Sequence, residues 1–395
     1  MSSTQFKADL RDLEFCLFEQ VRIQDFEHEN YKDFDEDLYR MVLAEAAKLA
    51  EETLAPLNAP GDEQGCGFED GKVTSPVGYT AAYQSYVQAG WTGTALPQSE
   101  GGQGLPVSLA LATVETFTSA CPAFVMYPGL TVAATRLIQN FGTPWMREVI
   151  VPKLLSGEWA GTMCLTEPQA GTAIGDLRTR AERDGDAYRL RGNKIFITGG
   201  EQDLTENIIH LVLAQSPNSP PGIKGLGLFL VPKMLFDEQG NITGPNEVVC
   251  SGIEHKMGMN GSATCQLSYG DGEGSKGWII GEEGGGIIPM FTMMNDARIG
   301  VGVQGYAIAA AAYSYALSYA QDRVQGTRLS EMRDFEAERV AIVEHPDVRR
   351  MLLSMRAQVE GMRAFGLTLG KYGNLYHLDP EGSEAQEYQA ILEVL

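Results

Sequence analysis

The spacing of apolar residues changes period twice along this 395-residue chain, and those two changes restrict its architecture more than any single motif does. From about Asp35 to Gly157 the period is helical. Leu38, Met41, Val42, Leu49 and Leu54 fall near one face, and Pro56 is expected to stop that run. In "TSPVGYTAAYQSYVQAG", Ser75 reads as an N-cap, Pro76 as the first helical residue and Gly90 as the residue past the end. "LPQSEGGQG" (96–104) reads as a loop. Further helices are expected over 107–117, 131–141 and 144–155, the last two separated by Gly142-Thr143-Pro144. From Glu158 to about Gly281 the spacing shortens. Asp184-Gly185 between alternating segments is a hairpin signal, and 194–198 reads as a second strand after it. "NIIHLVLA", "LGLFLVP" and "SATCQLSYG" read as further strands, with Pro217, Pro220 and Pro221 in an exposed loop. After Gly284-Gly285-Gly286 the period is helical again. One helix over 287–323, with Pro289 in its first turn, would be over ~50 Å long at 1.5 Å per residue. A second is expected from His345-Pro346-Asp347 to about Lys371, and a third from Ser383-Glu384 that is still running at Leu395. The reading is an α+β multidomain chain: an N-terminal helical domain (1–157), a middle β-sandwich or barrel domain (158–283) and a C-terminal helical domain (284–395).

Charge and composition exclude several functions. A formal net charge of −22 argues against a nucleic-acid partner. The least polar stretch, near 308–320, is broken by Tyr and Ser and falls short of the ~18 apolar residues of a membrane span, and the N-terminus has no apolar signal core. Cys16, Cys66, Cys121, Cys164, Cys250 and Cys265 form no CxxC pair, and the histidines form no HExxH. No metal site is expected. Free thiols suit a reducing, cytoplasmic setting.

The chemistry-bearing segments lie in the β region. "MCLTEPQAGT" (163–172) ends a strand, turns at Glu167-Pro168, and follows with Gly171-Thr172. Glycine bares backbone N–H groups, and threonines add hydroxyls at fixed offsets, as a flat polar ring with a phosphate tail would need. "KIFITGG" (194–200) follows. No GxGxxG bridges a strand and a helix, and Gly225/Gly227 lacks a third glycine, so a Rossmann site is not expected. "GEEGGG" (281–286) reads as a domain-entry turn.

These two segments, in this order after "LPQSEGGQG", resemble the acyl-CoA dehydrogenase flavoproteins. The resemblance covers roughly residues 35–395. "YRLRGNKIFITGG" with "HPDVRRML" (345–352) resembles the longer-chain branch that includes 3-methylthiopropionyl-CoA dehydrogenase. The resemblance implies FAD between the middle and last domains, contacted by Met163, Leu165, Thr166, Gly171, Thr172, Phe196, Ile197, Thr198, Arg323 and Gln325. Thr166 would hydrogen-bond the flavin ring, Thr198 would reach its N5 side and Phe196 would lie beside it. Thr172, near the pyrophosphate and the pantetheine, and Arg298 would contact substrate. Arg323 would reach the FAD pyrophosphate of a neighbouring subunit, with Gln325 beside it. The sequence departs from the family pattern in two places: the RxxFG spacing is one residue shorter and lacks the Phe, and Ala173 stands where many members carry Asp. Read alone, a threonine at a strand end is a local cap, Phe196 is core packing and Arg298 is a solvated helix arginine.

The implied reaction is FAD-dependent α,β-dehydrogenation of an acyl-CoA thioester, with 3-methylthiopropionyl-CoA among the candidates, in fatty acid metabolism. Electrons would go to an electron-transfer flavoprotein. A homodimer or homotetramer would form through the face over 299–319. The α-proton requires a carboxylate base. Family members supply a Glu either from a YEGT-like C-terminal segment or immediately before the arginine matching Arg298. Here no such segment precedes Leu395, and the second position is Ala297. Asp296 is about 100° away around a helix. "EAQEYQAILEVL" stops inside an apolar helical pattern, so the base is expected beyond Leu395. Alternatives are a same-fold acyl-CoA oxidase or alkylation-response flavoprotein, and a non-catalytic, truncated flavin-binding chain.

Overall fold

The computed structural model describes residues 6–26 and 28–394. The longer helices are α1 (Glu36–Leu49), α2 (Tyr79–Gln88), α3 (Val107–Ala120), α4 (Pro122–Phe141), α5 (Pro144–Leu155), α6 (Ile287–Asp322), α7 (Pro346–Leu378) and α8 (Ala385–Val394). The strands of the main sheet are β1 (Trp159–Cys164), β2 (Arg180–Asp184), β3 (Ala187–Thr198), β4 (Asn207–Gln215), β5 (Leu226–Pro232), β6 (Val248–Ile253), β7 (Thr264–Tyr269) and β8 (Ser275–Ile280). The chain divides into two compact units. One comprises Leu57–Gln103 and Ala123–Gly300, the other Met1–Pro56, Gly104–Pro122 and Val301–Leu395.

The unit of residues 57–103 and 123–300 contains the sheet. Its strands run in the order β6-β7-β3-β8-β5-β4-β1. The β2–β3 hairpin turns at Asp184↔Ala187 across Gly185, whose φ of 63° suits the tight turn. β2 also touches β4 through Arg180↔Gln215, which closes β3, β8, β5, β4 and β2 into a hydrogen-bonded ring. β1 joins β4 in parallel, from Trp159↔Asn207 to Cys164↔Val212. β4 and β5 are buried on both faces, which is why both read as continuous apolar runs. On one face Leu211, Leu213, Leu228 and Leu230 pack with Trp159 and Ile280. On the other, Val212, Phe229 and Val231 pack with Cys164, Ile197 and Cys265. Each such side chain contributes about 1.5–3 kcal/mol when fully buried.

The expected separate strand over 194–198 is the second half of the 12-residue β3. Gly192 is a bend rather than a stop: at φ 150° a Cβ there would lie 2.4 Å from Thr179 Oγ1. Before it β3 pairs with β2 and β8; from Gly192 onward it pairs with β7.

Three helix boundaries differ from the expected ones. Pro56 does not stop the first helix. A π-helical segment, Ala50–Leu54, widens the turn, and the chain continues helically over Ala55–Gln64. Pro56, lacking an N–H, is tolerated as the second residue after that wide turn. Ser75 is not an N-cap: α2 begins three residues after Pro76, behind Gly78 in the left-handed region at φ 92°. Ser75 instead receives Asp203, whose carboxylate accepts its backbone N–H at 3.0 Å. α4 begins at Pro122 rather than at Thr131 and accommodates Pro128 internally.

In the other unit, Leu13, Leu17 and Phe18 pack with Tyr39 and Leu43 of α1, Leu109 and Ala112 of α3, and Leu367 of α7. Arg363 of α7, nearly fully buried, donates to Glu115 Oε1 from Nε (2.8 Å) and Nη2 (2.6 Å) and pairs with Asp12. α7 runs one to two turns past Lys371, to Leu378, fastened where Tyr31 OH donates to Asn374 Oδ1 at 2.7 Å. Among the described residues no helix is long and apolar enough to cross a membrane.

Candidate functional site

The two glycine- and threonine-bearing segments are adjacent in space. After β1 the chain passes Leu165 and Thr166 and closes a tight turn, in which Glu167 and Ala170 exchange N–H···O bonds of 3.0 Å. The Thr166 carbonyl accepts the N–H of Ile195 at 2.9 Å, which joins the first segment to β3. Beneath that bond lies a buried ion pair. Lys194 Nζ donates to Glu167 Oε1 and to the Leu165 carbonyl, both at 2.8 Å. Glu167 also accepts Thr179 N–H (3.0 Å), Arg178 N–H (2.7 Å) and Gln169 Nε2 (2.6 Å). Burying two charges is costly unless the lone pairs and protons find partners, and here they do. Burial alone would raise the Glu167 carboxyl; the Lys194 ammonium and the surrounding donors outweigh it and hold its pKa down to about 2.

Ile195 is free to bond Thr166 because β3 bulges there. Ile197 pairs with Cys265 and Lys194 with Leu267, so Ile195 and Phe196 together face the single Gln266. Phe196 takes a φ of +61°, uncommon for a residue with a side chain, and its ring is turned outward, 58% exposed. Such strain persists where surrounding structure enforces it, and it clusters at ligand sites.

The structure thus gathers Thr166, Phe196 and Thr198 around one junction, with Gly171 and Thr172 exposed just beyond the turn. The hydroxyls of Thr166, Thr172 and Thr198 make no hydrogen bond among the described residues. Among the described residues a Cβ on Gly171 would touch only Thr166 Cγ2, at 4.0 Å, so none of them requires glycine there. Met163 is half-buried, and the side chains of Leu165 and Ile197 point into the core, leaving only backbone for any ligand contact. Arg298 is exposed on α6, hydrogen-bonded to Asn295 Oδ1 at 2.6 Å, its guanidinium 5.6 Å from the Phe291 ring centre. Asp296 lies 3.6 Å from Arg136. Arg323 and Gln325 belong to the other unit, immediately after α6 rather than on it. Both are exposed on a chain reversal where Gln325 N–H donates to the Val340 carbonyl (3.0 Å) and Ile342 N–H to that of Arg323 (2.8 Å). Lys194 and Glu167 were not singled out by sequence reasoning, although a lysine within an otherwise apolar strand is a signal for a buried counter-charge.

Below neutral pH the unit is expected to lose stability in two windows. His210 of β4 is fully buried, its Nδ1 2.8 Å from Thr162 Oγ1. Burial, with Lys233 nearby, lowers its pKa from 6.5 to about 3. The unfolded chain therefore takes up the proton first, and stability falls as pH drops from 6.5 toward 3. Glu167 adds a second loss, between 4.5 and about 2, because its folded carboxyl resists protonation. Urea midpoints measured from pH 7.5 to 4 should decline from about 6.5 downward, and His210→Gln should flatten the upper part of that slope. An unchanged slope in the variant would assign the decline to other groups.

Family models match both regions of the chain: the acyl-CoA dehydrogenase N-terminal domain over residues 36–158 and the acyl-CoA dehydrogenase middle domain over 162–271. The chain belongs to the acyl-CoA dehydrogenase family, whose members are FAD-dependent flavoproteins with the helical, β and helical order seen here. It is similar to a 3-methylmercaptopropionyl-CoA dehydrogenase of Ruegeria pomeroyi, 40% identical over 99% of this chain and 66% of that protein. A butyryl-CoA dehydrogenase of Syntrophomonas wolfei is 35% identical over 98% of this chain and 65% of its own length. The butyryl-CoA dehydrogenase structure from Megasphaera elsdenii superposes with a TM-score of 0.69 at 24% identity, covering 91% of this chain and 84% of that one, and so shares the fold. The chain spans just under two thirds of the length of these two curated relatives.

Proposed function

We propose that this chain binds FAD and an acyl-CoA thioester for α,β-dehydrogenation, in a cytoplasmic homodimer or homotetramer that passes electrons to an electron-transfer flavoprotein. The observation that carries the reading is the Thr166–Ile195 junction. It sets unpartnered threonine hydroxyls and an outward-turned aromatic ring side by side on a rigid, buried ion pair. Thr166 and Thr198 would hydrogen-bond the flavin ring, Phe196 would flank it, and backbone N–H groups near Gly171 and Thr172 would meet the phosphates. Met163, Leu165 and Ile197 would contribute through backbone. Arg323, with Gln325, supplies an exposed, always-charged fork suited to a pyrophosphate. Thr172 and Arg298 would contact the substrate. When bound, the flavin supplies the hydride acceptor. Asp296 is engaged by Arg136, and we assign it no proton-transfer role. The 40% identity to a 3-methylmercaptopropionyl-CoA dehydrogenase favours a short thioether or similar acyl group.

Two measurements test this reading. Purified protein should take up FAD, and Thr166→Val should weaken uptake several-fold, the effect of losing one hydrogen bond of about 0.5–1.5 kcal/mol. Protein that binds no FAD in titration would sink the proposal. Anaerobic mixing with acyl-CoAs of graded length, 3-methylthiopropionyl-CoA included, should bleach the flavin once a carboxylate base reaches the α-carbon. Bleaching by residues 1–395 alone at a normal rate would show that such a base lies within them. Rapid reoxidation by O2 would favour an oxidase instead.

A further inference from the structure

We infer that Tyr127 is a positioning residue that sets the Thr198 end of the flavin site; the inference rests on the flavin reading above. Tyr127 lies on α4, in the same unit as the site, and is buried. Its hydroxyl accepts the N–H of Ala263 at 2.9 Å and donates to the Gly261 carbonyl at 3.2 Å, with Cys66 Sγ 3.6 Å away. Its ring lies against Gly199, the residue after Thr198: a Cβ there would approach the ring to 3.3 Å. Gly199 takes a φ of +61° and donates its N–H to the Ala263 carbonyl at 2.9 Å. The next residue along, Thr264, stands opposite Thr198 in the β7–β3 pairing.

One phenol therefore grips both sides of the place where β3 leaves the sheet. The hydroxyl ties down the peptides at 261 and 263, and the ring backs Gly199. Burial pushes the phenol's pKa well above its ordinary value, so near neutral pH it stays protonated and serves as donor and acceptor at once. The segment it fastens, 261–263, leads directly into β7. Tyr127 thus couples the flavin-side Thr198 to the loop that enters β7.

The test compares Tyr127→Phe with Tyr83→Phe. Tyr83 is a buried tyrosine of α2 in the same unit whose hydroxyl has no hydrogen-bond partner among the described residues, so its variant controls for loss of a buried hydroxyl. Tyr127→Phe is expected to bind FAD about five-fold more weakly, the size of one or two lost hydrogen bonds. It should also shift the flavin absorbance and speed amide exchange of apo-protein at Gly199 and Ala263. Tyr83→Phe should do none of these. A Tyr127→Phe protein with wild-type flavin affinity, spectrum and exchange would overturn the inference while leaving the flavin reading standing. A wild-type protein that takes up no FAD would overturn both.

Discussion

Lys194→Ala is expected to destabilise its unit by about 3–5 kcal/mol, because it leaves the Glu167 carboxylate buried without its counter-charge. Lys194 is wholly buried and Glu167 nearly so, with both Lys194 hydrogen bonds at 2.8 Å. The double variant Lys194→Met/Glu167→Gln should recover much of that loss, since it removes both charges together. Urea midpoints of Lys194→Met, Glu167→Gln and the double variant give the coupling energy directly. A loss below about 1 kcal/mol for Lys194→Ala would place the pair in the weak, solvent-relaxed class. Flavin uptake should fall with stability in Lys194→Ala, because the same side chain fastens Leu165, next to the Thr166–Ile195 junction.

The second large effect is expected in the other unit. Arg363→Ala removes the guanidinium that binds Glu115 twice and Asp12 once. Burial pushes the Glu115 carboxyl up, and Arg363 is what draws it back. Without it, Glu115 is left buried with no counter-charge, at a cost of about 3–5 kcal/mol, as for other broken buried pairs. Hydrogen exchange should report lost protection over residues 107–120 and 346–378. Glu115→Gln added to Arg363→Met should restore part of it. Unaltered exchange there in Arg363→Ala would refute the assignment.

How far these features were legible in the sequence depended on the range of the interaction behind each. The hairpin at Asp184-Gly185 was legible because its turn chemistry is local. So were β4 and β5, since strands buried on both faces advertise themselves as apolar runs. Pro56 was misread because the π-helical segment before it changes what a proline does, and no residue type in "AEETL" announces that wide turn. The stretch 194–198 was read as a separate strand because a glycine that ends a strand and one that bends it, as Gly192 does, look alike until Thr179 is placed beside it. At the site, the threonines and Phe196 were reached through resemblance to a family. The bulge that turns Phe196 outward depends on β7, about 70 residues further along, and no local pattern encodes it. The Lys194–Glu167 pair spans 27 residues and exists only once β1 and β3 have docked.

The long strand β3 has a consequence for how this protein can change over evolutionary time. The first half of β3 is a stave of the closed ring and the second half presents Phe196 and Thr198, with no loop between them to absorb a length change. Adding or removing one residue between the hairpin and Lys194 would invert every downstream side chain, turning Lys194 outward and Phe196 into the core. Drift in this region is therefore confined to substitution. Insertions and deletions must find room elsewhere, as in the proline-rich loop at 217–221, where the chain can lengthen without disturbing the register of the site.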